Sequence, residues 1–336
     1  MEQRIAYIDL AKGICISLVV LWHVFGDLSV NFDIIQIMFF FRMPLYFILS
    51  GLFFKTYGGM SFFIKKKTNK LIIPFLFTFV FITVPSILFM DKENGINTSI
   101  DCFYEEKGRL TLGLVPSSWF LVCLFIVNFY FYCLFQLSKS HIRMISLFCV
   151  LLGILGYIMN VLDLYFPLWF DTSLTVMPFF LCGYLTRNYS NILYKNFTKE
   201  QFVIFTLSLF GLLFTYYILE HRQLVSIYFF HNNYGVKIIS LYLGGISGSY
   251  CILLFSKFFR HIPILSYIGR YSIVVLLTHQ PILFFIRNTF YQLGVSQAGI
   301  FINSLIFLMI LLLSVPIIWF CVKYLPYCFA QKDIWK

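Results

Sequence analysis

Asp9, Lys12 and His23 share the first apolar stretch of the chain, Tyr7-Ile-Asp-Leu-Ala-Lys-Gly-Ile-Cys-Ile-Ser-Leu-Val-Val-Leu-Trp-His23. On an α-helix, the eleven-residue spacing from Lys12 to His23 brings both to nearly the same face, roughly 16 Å apart along the axis, with Asp9 about 40° round from His23. A lysine near the centre of a membrane span costs about 2.5 to 3.5 kcal/mol on insertion scales, so such residues face a bundle interior or a wet cavity and carry function. The stripe suits a reaction in which His23 is the general base or nucleophile and Lys12 holds an anionic group. In the plainer alternative, Asp9 and Lys12 neutralise each other at the helix mouth while His23 hydrogen-bonds in the core.

A second charged group approaches the same depth. Arg42 lies nine residues into the next apolar stretch, about 13 Å down at 1.5 Å per residue, level with His23. A guanidinium there would stabilise an oxyanion, unless the side chain snorkels outward. Pro44 removes a backbone donor and opens the helix one turn further in. Further along, Thr278-His279-Gln280-Pro281 sets another imidazole beside a helix-breaking proline, either as a core residue or as a participant. Trp119 reads as an interface anchor. Lys65, Lys66, Lys67 and Lys70 form a basic inner loop ahead of Pro74, suited to phosphates or to anionic lipid headgroups. His141, His221, His231 and His261 have no ligand spacing, so no metal is expected.

The elements that must position these groups follow from composition. The chain of 336 residues is 60% hydrophobic and 12% charged, with mean hydropathy +0.86. A soluble domain would be left with large apolar patches, and segments near 20 residues exclude a barrel. The expected fold is all-α, one polytopic transmembrane helical bundle over residues 1–336 with about ten spans: 5–27, 33–54, 71–90, 118–137, 144–162, 171–186, 201–219, 236–255, 271–290 and 298–322. The net charge of +11 follows topology rather than nucleic-acid binding. Seventeen basic residues fall on one side of this arrangement against Lys92, Lys107, Arg109 and Arg222 on the other, which predicts both termini inside. Nine cysteines are scattered singly, with Cys102 alone in an outer loop, so no disulfide framework is expected. Asp9 and Lys12 interrupt any signal-peptide core, and the first stretch reads as a retained span.

In order, these segments resemble the acyltransferase type 3 family of integral membrane acyltransferases, particularly sugar O-acetyltransferases of the fucose 4-O-acetylase kind. The resemblance rests on Arg4-x4-Asp9-x2-Lys12-Gly13 ahead of His23, Met43-Pro44-Leu-Tyr-Phe-x2-Ser50-Gly51, Lys67-x2-Lys70 ahead of Pro74, Trp119-Phe-Leu, Met177-Pro178-Phe-Phe-x2-Gly183, and Ile268-Gly269-Arg270-Tyr-Ser272 followed by His279. It implies a bacterial cytoplasmic-membrane enzyme that takes an acyl group, commonly acetyl, from cytosolic acyl-CoA. The acceptor is a hydroxyl on a surface glycan or its lipid-linked precursor. On this reading His23, Arg42 and Asp9 are catalytic, Lys12, Lys67 and Lys70 bind the donor, and Ser50, Trp119 and His279 position substrate. Many relatives have arginines at the positions of Lys67 and Lys70, and a histidine often stands where this chain has Arg42. The rival reading is a transporter or flippase of a glycan or lipid-linked sugar, since intramembrane charges also mark translocation paths. Inverted repeats would favour it, and none is evident.

Overall fold

The computed structural model describes residues 5–26, 33–86, 109–110, 112, 114–189, 197–222, 227–295 and 299–335. Cys102, Lys92 and Lys107 lie outside the described residues. Among those described, nine helices are long and apolar enough to cross a membrane, and a bent pair brings the total to ten if it counts as one span. The chain is a polytopic helical bundle.

Helix α1 is Ala6–Phe25. The second span is broken into α2, Asp33–Phe41, and α3, Pro44–Leu52. Pro44 has no N–H to donate, so the helical ladder fails at Arg42-Met43 and resumes with proline in the first turn of α3, where a missing donor is harmless. Helix α4 runs Met60–Ser86. It begins eleven residues before the expected start at 71, so Lys65 to Lys70 ride on the helix and are not a loop. Two π-turns, Thr68–Ile72 and Phe79–Thr83, interrupt α4.

Helix α5 is Trp119–Leu137, entered through a 3-10 turn at Pro116–Ser118, and α6 is Ile142–Val161. The short sixth span proves to be two helices, α7 (Phe170–Thr175) and α8 (Met177–Tyr189). The pair, taken from Pro167, bends by 54° beside the donor-less Pro178. Helix α9 covers Lys199–Leu219. A hairpin of β1 (Ile227–Tyr228) and β2 (Asn233–Tyr234) then leads into α10, Ile238–Phe259. Helices α11 (Pro263–Arg270), α12 (Ser272–Gln292) and α13 (Ile300–Tyr324) complete the bundle.

The broken span α2–α3 is the most buried of the described spans, followed by α1 and α10. Gly13 and Gly269 let the α1 and α11 backbones touch, since an added Cβ at Gly269 would stand 1.8 Å from the Asp9 carbonyl oxygen. Gly51 and Gly183 do the same for α3 and α8. Close small-residue crossings of this kind are how helices associate where lipid offers no hydrophobic drive. At the periphery α6 and α9 leave Leu151, Phe202 and Phe210 exposed, as lipid-facing helices should. Arg109, which the charge pattern assigns to an outer loop, is fully buried and paired with Asp171 at 2.5 Å.

Candidate functional site

Two cavities lie along α1, one toward each end of the helix, and share part of their walls. The first, about 320 Å³, is lined by Lys12 and Lys67 together with Tyr46, Ser50 and Tyr57. The second, about 280 Å³, holds His23 and Arg42 with Trp22, Ser117, Trp119 and Tyr228. Val19, Met43 and Leu276 line both. Met43 belongs to this shared wall and lies in the proline break between α2 and α3.

In the lysine-bearing cavity, Lys12 comes from the second turn of α1, and its carbonyl oxygen accepts a hydrogen bond from the Tyr46 hydroxyl at 3.2 Å. Ser50 Oγ accepts from Asn128 Nδ2 at 3.1 Å, and that amide also donates to Leu124 O. Lys67 Nζ lies 5.8 Å from the centre of the Phe63 ring. Lys70 does not join it. Its ammonium is 3.2 Å from Asp333 and 2.7 Å from Ala330 O, while Lys66 donates to Asp333 at 2.6 Å. On a regular helix Lys67 and Lys70 would share a face, but the π-turn from Thr68 closes i to i+5 bonds and turns less per residue, so they diverge. Asn69, fully buried, accepts from the backbone N–H groups of Ile334 and Trp335 and donates to Trp335 O, which straps the chain end onto α4. The Asp333 carboxyl is held below the usual carboxylate range, chiefly by its hydrogen bond from Lys66. Asp9, in the first turn of α1 and partly buried, lines neither of the two cavities.

In the histidine-bearing cavity, Gln280 Nε2 lies 3.3 Å from His23 Nδ1. The amide cannot be turned round, because its Oε1 accepts the backbone N–H of Ser117 at 3.1 Å. Gln280 therefore donates to Nδ1, and the lone pair of the neutral His23 ring is on that atom. His279 packs behind His23 with ring centres 5.2 Å apart. It is fully buried, its Nδ1 donates to Val275 O at 2.8 Å, and its Nε2 has no hydrogen-bond partner among the described residues. His279 is thus a neighbour of His23 and does not line the cavity.

Arg42 does not snorkel. It is 7% exposed, with its guanidinium carbon 4.4 Å from the Phe39 ring centre and 4.9 Å from that of Trp22. Its Nη1 has no hydrogen-bond partner, and no carboxylate among the described residues pairs with it. Trp119, read as an interface anchor, is 6% exposed and packs against Trp169 and Phe230.

Sequence reasoning brought His23, Arg42, Lys12, Lys67, Ser50 and Trp119 to the cavity walls, and His279 to the layer behind. It missed Gln280, Ser117, Asn128 and the aromatic hairpin. Gln280 carried a faint signal as the polar residue between an intramembrane histidine and Pro281.

A family model described as an acyltransferase domain matches residues 5–323. Neither a curated protein nor a solved structure matches the chain with significance.

Proposed function

The chain belongs to this acyltransferase family, and from that premise we propose that it moves an acyl group, acetyl in the simplest case, from cytosolic acyl-CoA to a hydroxyl of a surface glycan or its lipid-linked precursor. The observation that carries the reading is a pair of adjacent cavities with shared wall residues, one lined by ammonium groups and the other by an imidazole and a guanidinium whose Nη1 has no hydrogen-bond partner among the described residues. The basic asymmetry of the sequence sets the lysine end in the cytoplasm, both termini with it, in what we take to be the bacterial cytoplasmic membrane.

Lys12 and Lys67 hold the phosphates of the donor, and its pantetheine arm runs up the cavity. Val19 is seven residues beyond Lys12 and four before His23, about 10 Å and 6 Å along α1, so the thioester has to pass this shared wall to reach the imidazole. The acceptor hydroxyl displaces Gln280 from its long contact with His23 Nδ1 and gives that atom its proton as the oxygen attacks the thioester carbonyl. Arg42 Nη1 donates to the oxyanion. The carbon–sulfur bond then breaks, and the CoA thiolate takes the proton back from His23. Asp9 offsets the Lys12 charge from the turn below, Ser50 and Trp119 bound the path, and His279 supports the His23 ring.

Purified protein in nanodiscs, given labelled acetyl-CoA and a panel of sugars, should label a sugar, and His23→Ala should lose about 10² to 10⁴ of the rate. Wild-type turnover in a folded His23→Ala protein would overturn the assignment.

A further inference from the structure

We infer that the Ile227–Tyr234 hairpin is the acceptor-recognition element of this site and that it selects a single pyranose ring. The inference rests on the acyltransferase reading above and names the substrate class and the residues that choose it.

The hairpin is a rigid platform. Ile227 and Phe229 are buried, and the Phe229 carbonyl accepts from Thr172 Oγ1 at 2.9 Å. Asn232 sits in the left-handed region at φ 46°, which an asparagine tolerates. Its side chain accepts from Thr175 Oγ1 at 3.1 Å and donates to the Gly156 carbonyl at 3.3 Å. The Tyr234 N–H donates to Asn160 Oδ1 at 3.0 Å. These pins are on α6 and α7, so the hairpin is fastened to the bundle wall.

Between these pins, Tyr228, Phe230 and His231 border the cavity that holds His23. Tyr228 meets Trp22 with ring centres 6.4 Å apart, and Phe230 meets Trp119 at 6.2 Å. Two aromatic pairs therefore line one cavity together with the polar groups of His23, Arg42, Ser117 and His231. That mixture fits a pyranose, whose ring carbons present C–H faces to aromatic surfaces while its hydroxyls point edgewise to hydrogen-bonding groups. A lipid tail would leave the polar groups unsatisfied, at a desolvation cost. The volume of about 280 Å³ lies just below the roughly 300 to 1,000 Å³ common for drug-sized ligands, so it holds one ring and the incoming acyl group at a time, with any further rings of a glycan outside it.

The test uses the full chain in nanodiscs, with methyl pyranosides of glucose, galactose, fucose and rhamnose as acceptors and glycerol as a non-cyclic alcohol. Acetyl transfer from acetyl-CoA should favour a pyranoside over glycerol. Tyr228→Ala and Phe230→Ala should each raise the pyranoside KM at least tenfold while the acetyl-CoA KM moves less than twofold, and Tyr228→Phe should restore most of the loss. A parallel titration follows tryptophan fluorescence, since Trp22 and Trp119 border the site. Pyranoside should quench the wild type at lower concentration than Tyr228→Ala, whereas glycerol should not quench. Equal use of glycerol and pyranosides, or pyranoside KM and quenching that ignore both alanine variants, would overturn the inference. Failure of the acyltransferase reading shows differently, as no turnover with any acceptor, and the fluorescence titration still decides the hairpin.

Discussion

Gly269→Ala should disable the site from a distance, and the size of the effect can be worked from the helix crossing. A Cβ at residue 269 would lie 1.8 Å from the Asp9 carbonyl oxygen and 2.3 Å from the Gly13 nitrogen, where ordinary contact begins near 3.4 Å. These obstacles are backbone atoms, so no side chain can swing aside. Helices α1 and α11 must part by about 1.6 Å, and overpacking of this kind costs about 1 to 3 kcal/mol. Asp9 and Gly13 flank Lys12, so the displacement moves the lysine proposed to hold the donor, and an error of about 1 Å in a reacting geometry can cost 10²-fold. We expect a melting temperature lowered by several degrees and kcat/KM lowered about 10²-fold in detergent-solubilised protein, with acetyl transfer as the assay and size-exclusion chromatography confirming the fold. Gly299→Ala is the control, since its Cβ would meet nothing within 4 Å. A Gly269→Ala protein with wild-type melting and wild-type rate would refute the claim that this crossing sets the donor geometry.

Arg42→Lys keeps the charge but loses the planar fork, so kcat should remain at least tenfold down if Nη1 serves an oxyanion; full recovery would leave Arg42 a general cation only. Lys67→Ala should raise the acetyl-CoA KM several-fold with kcat little changed, whereas Lys70→Ala should leave that KM alone, because Lys70 serves Asp333. Asp333 supplies a pH dependence of known sign. Its folded value is lowered, so its contribution to strap docking is present above the ordinary carboxylate pKa near 4 and disappears as pH falls through the lowered value. Amide exchange of Ala330–Trp335 should therefore rise below about pH 4, and Asp333→Asn should show the faster exchange already at neutral pH; a pH-independent profile would remove Asp333 from the strap. The lysines are partly exposed, so the effect should be local.

Much of this protein is written locally. Ten apolar stretches specify a helical bundle because a backbone in lipid has to satisfy its own hydrogen bonds, whatever the helices later pack against. The break before Pro44 follows from one missing N–H, and the shared face of Lys12 and His23 from the helical repeat alone. Both the depth of Arg42 and its nearness to His23 could be read from residue counts, since 1.5 Å per residue is a ruler that needs no partner.

What escaped the sequence depends on contacts between distant positions or on irregular turns. The His23 ring is held by Gln280, whose amide is oriented by Ser117, 163 residues away in the chain, and no local pattern announces that pairing. Lys67 and Lys70 look equivalent at a spacing of three, yet a π-turn sends one to the cavity and the other to Asp333. The aromatic hairpin is too short to show a strand period, and its shape comes from pins on α6 and α7. Sequence determined which groups could do chemistry and how deep each would sit, because helical rise and periodicity are properties of single segments. Only the packing of the segments decided which of those groups share a cavity and which tautomer the histidine holds, because each depends on a partner brought in from another helix.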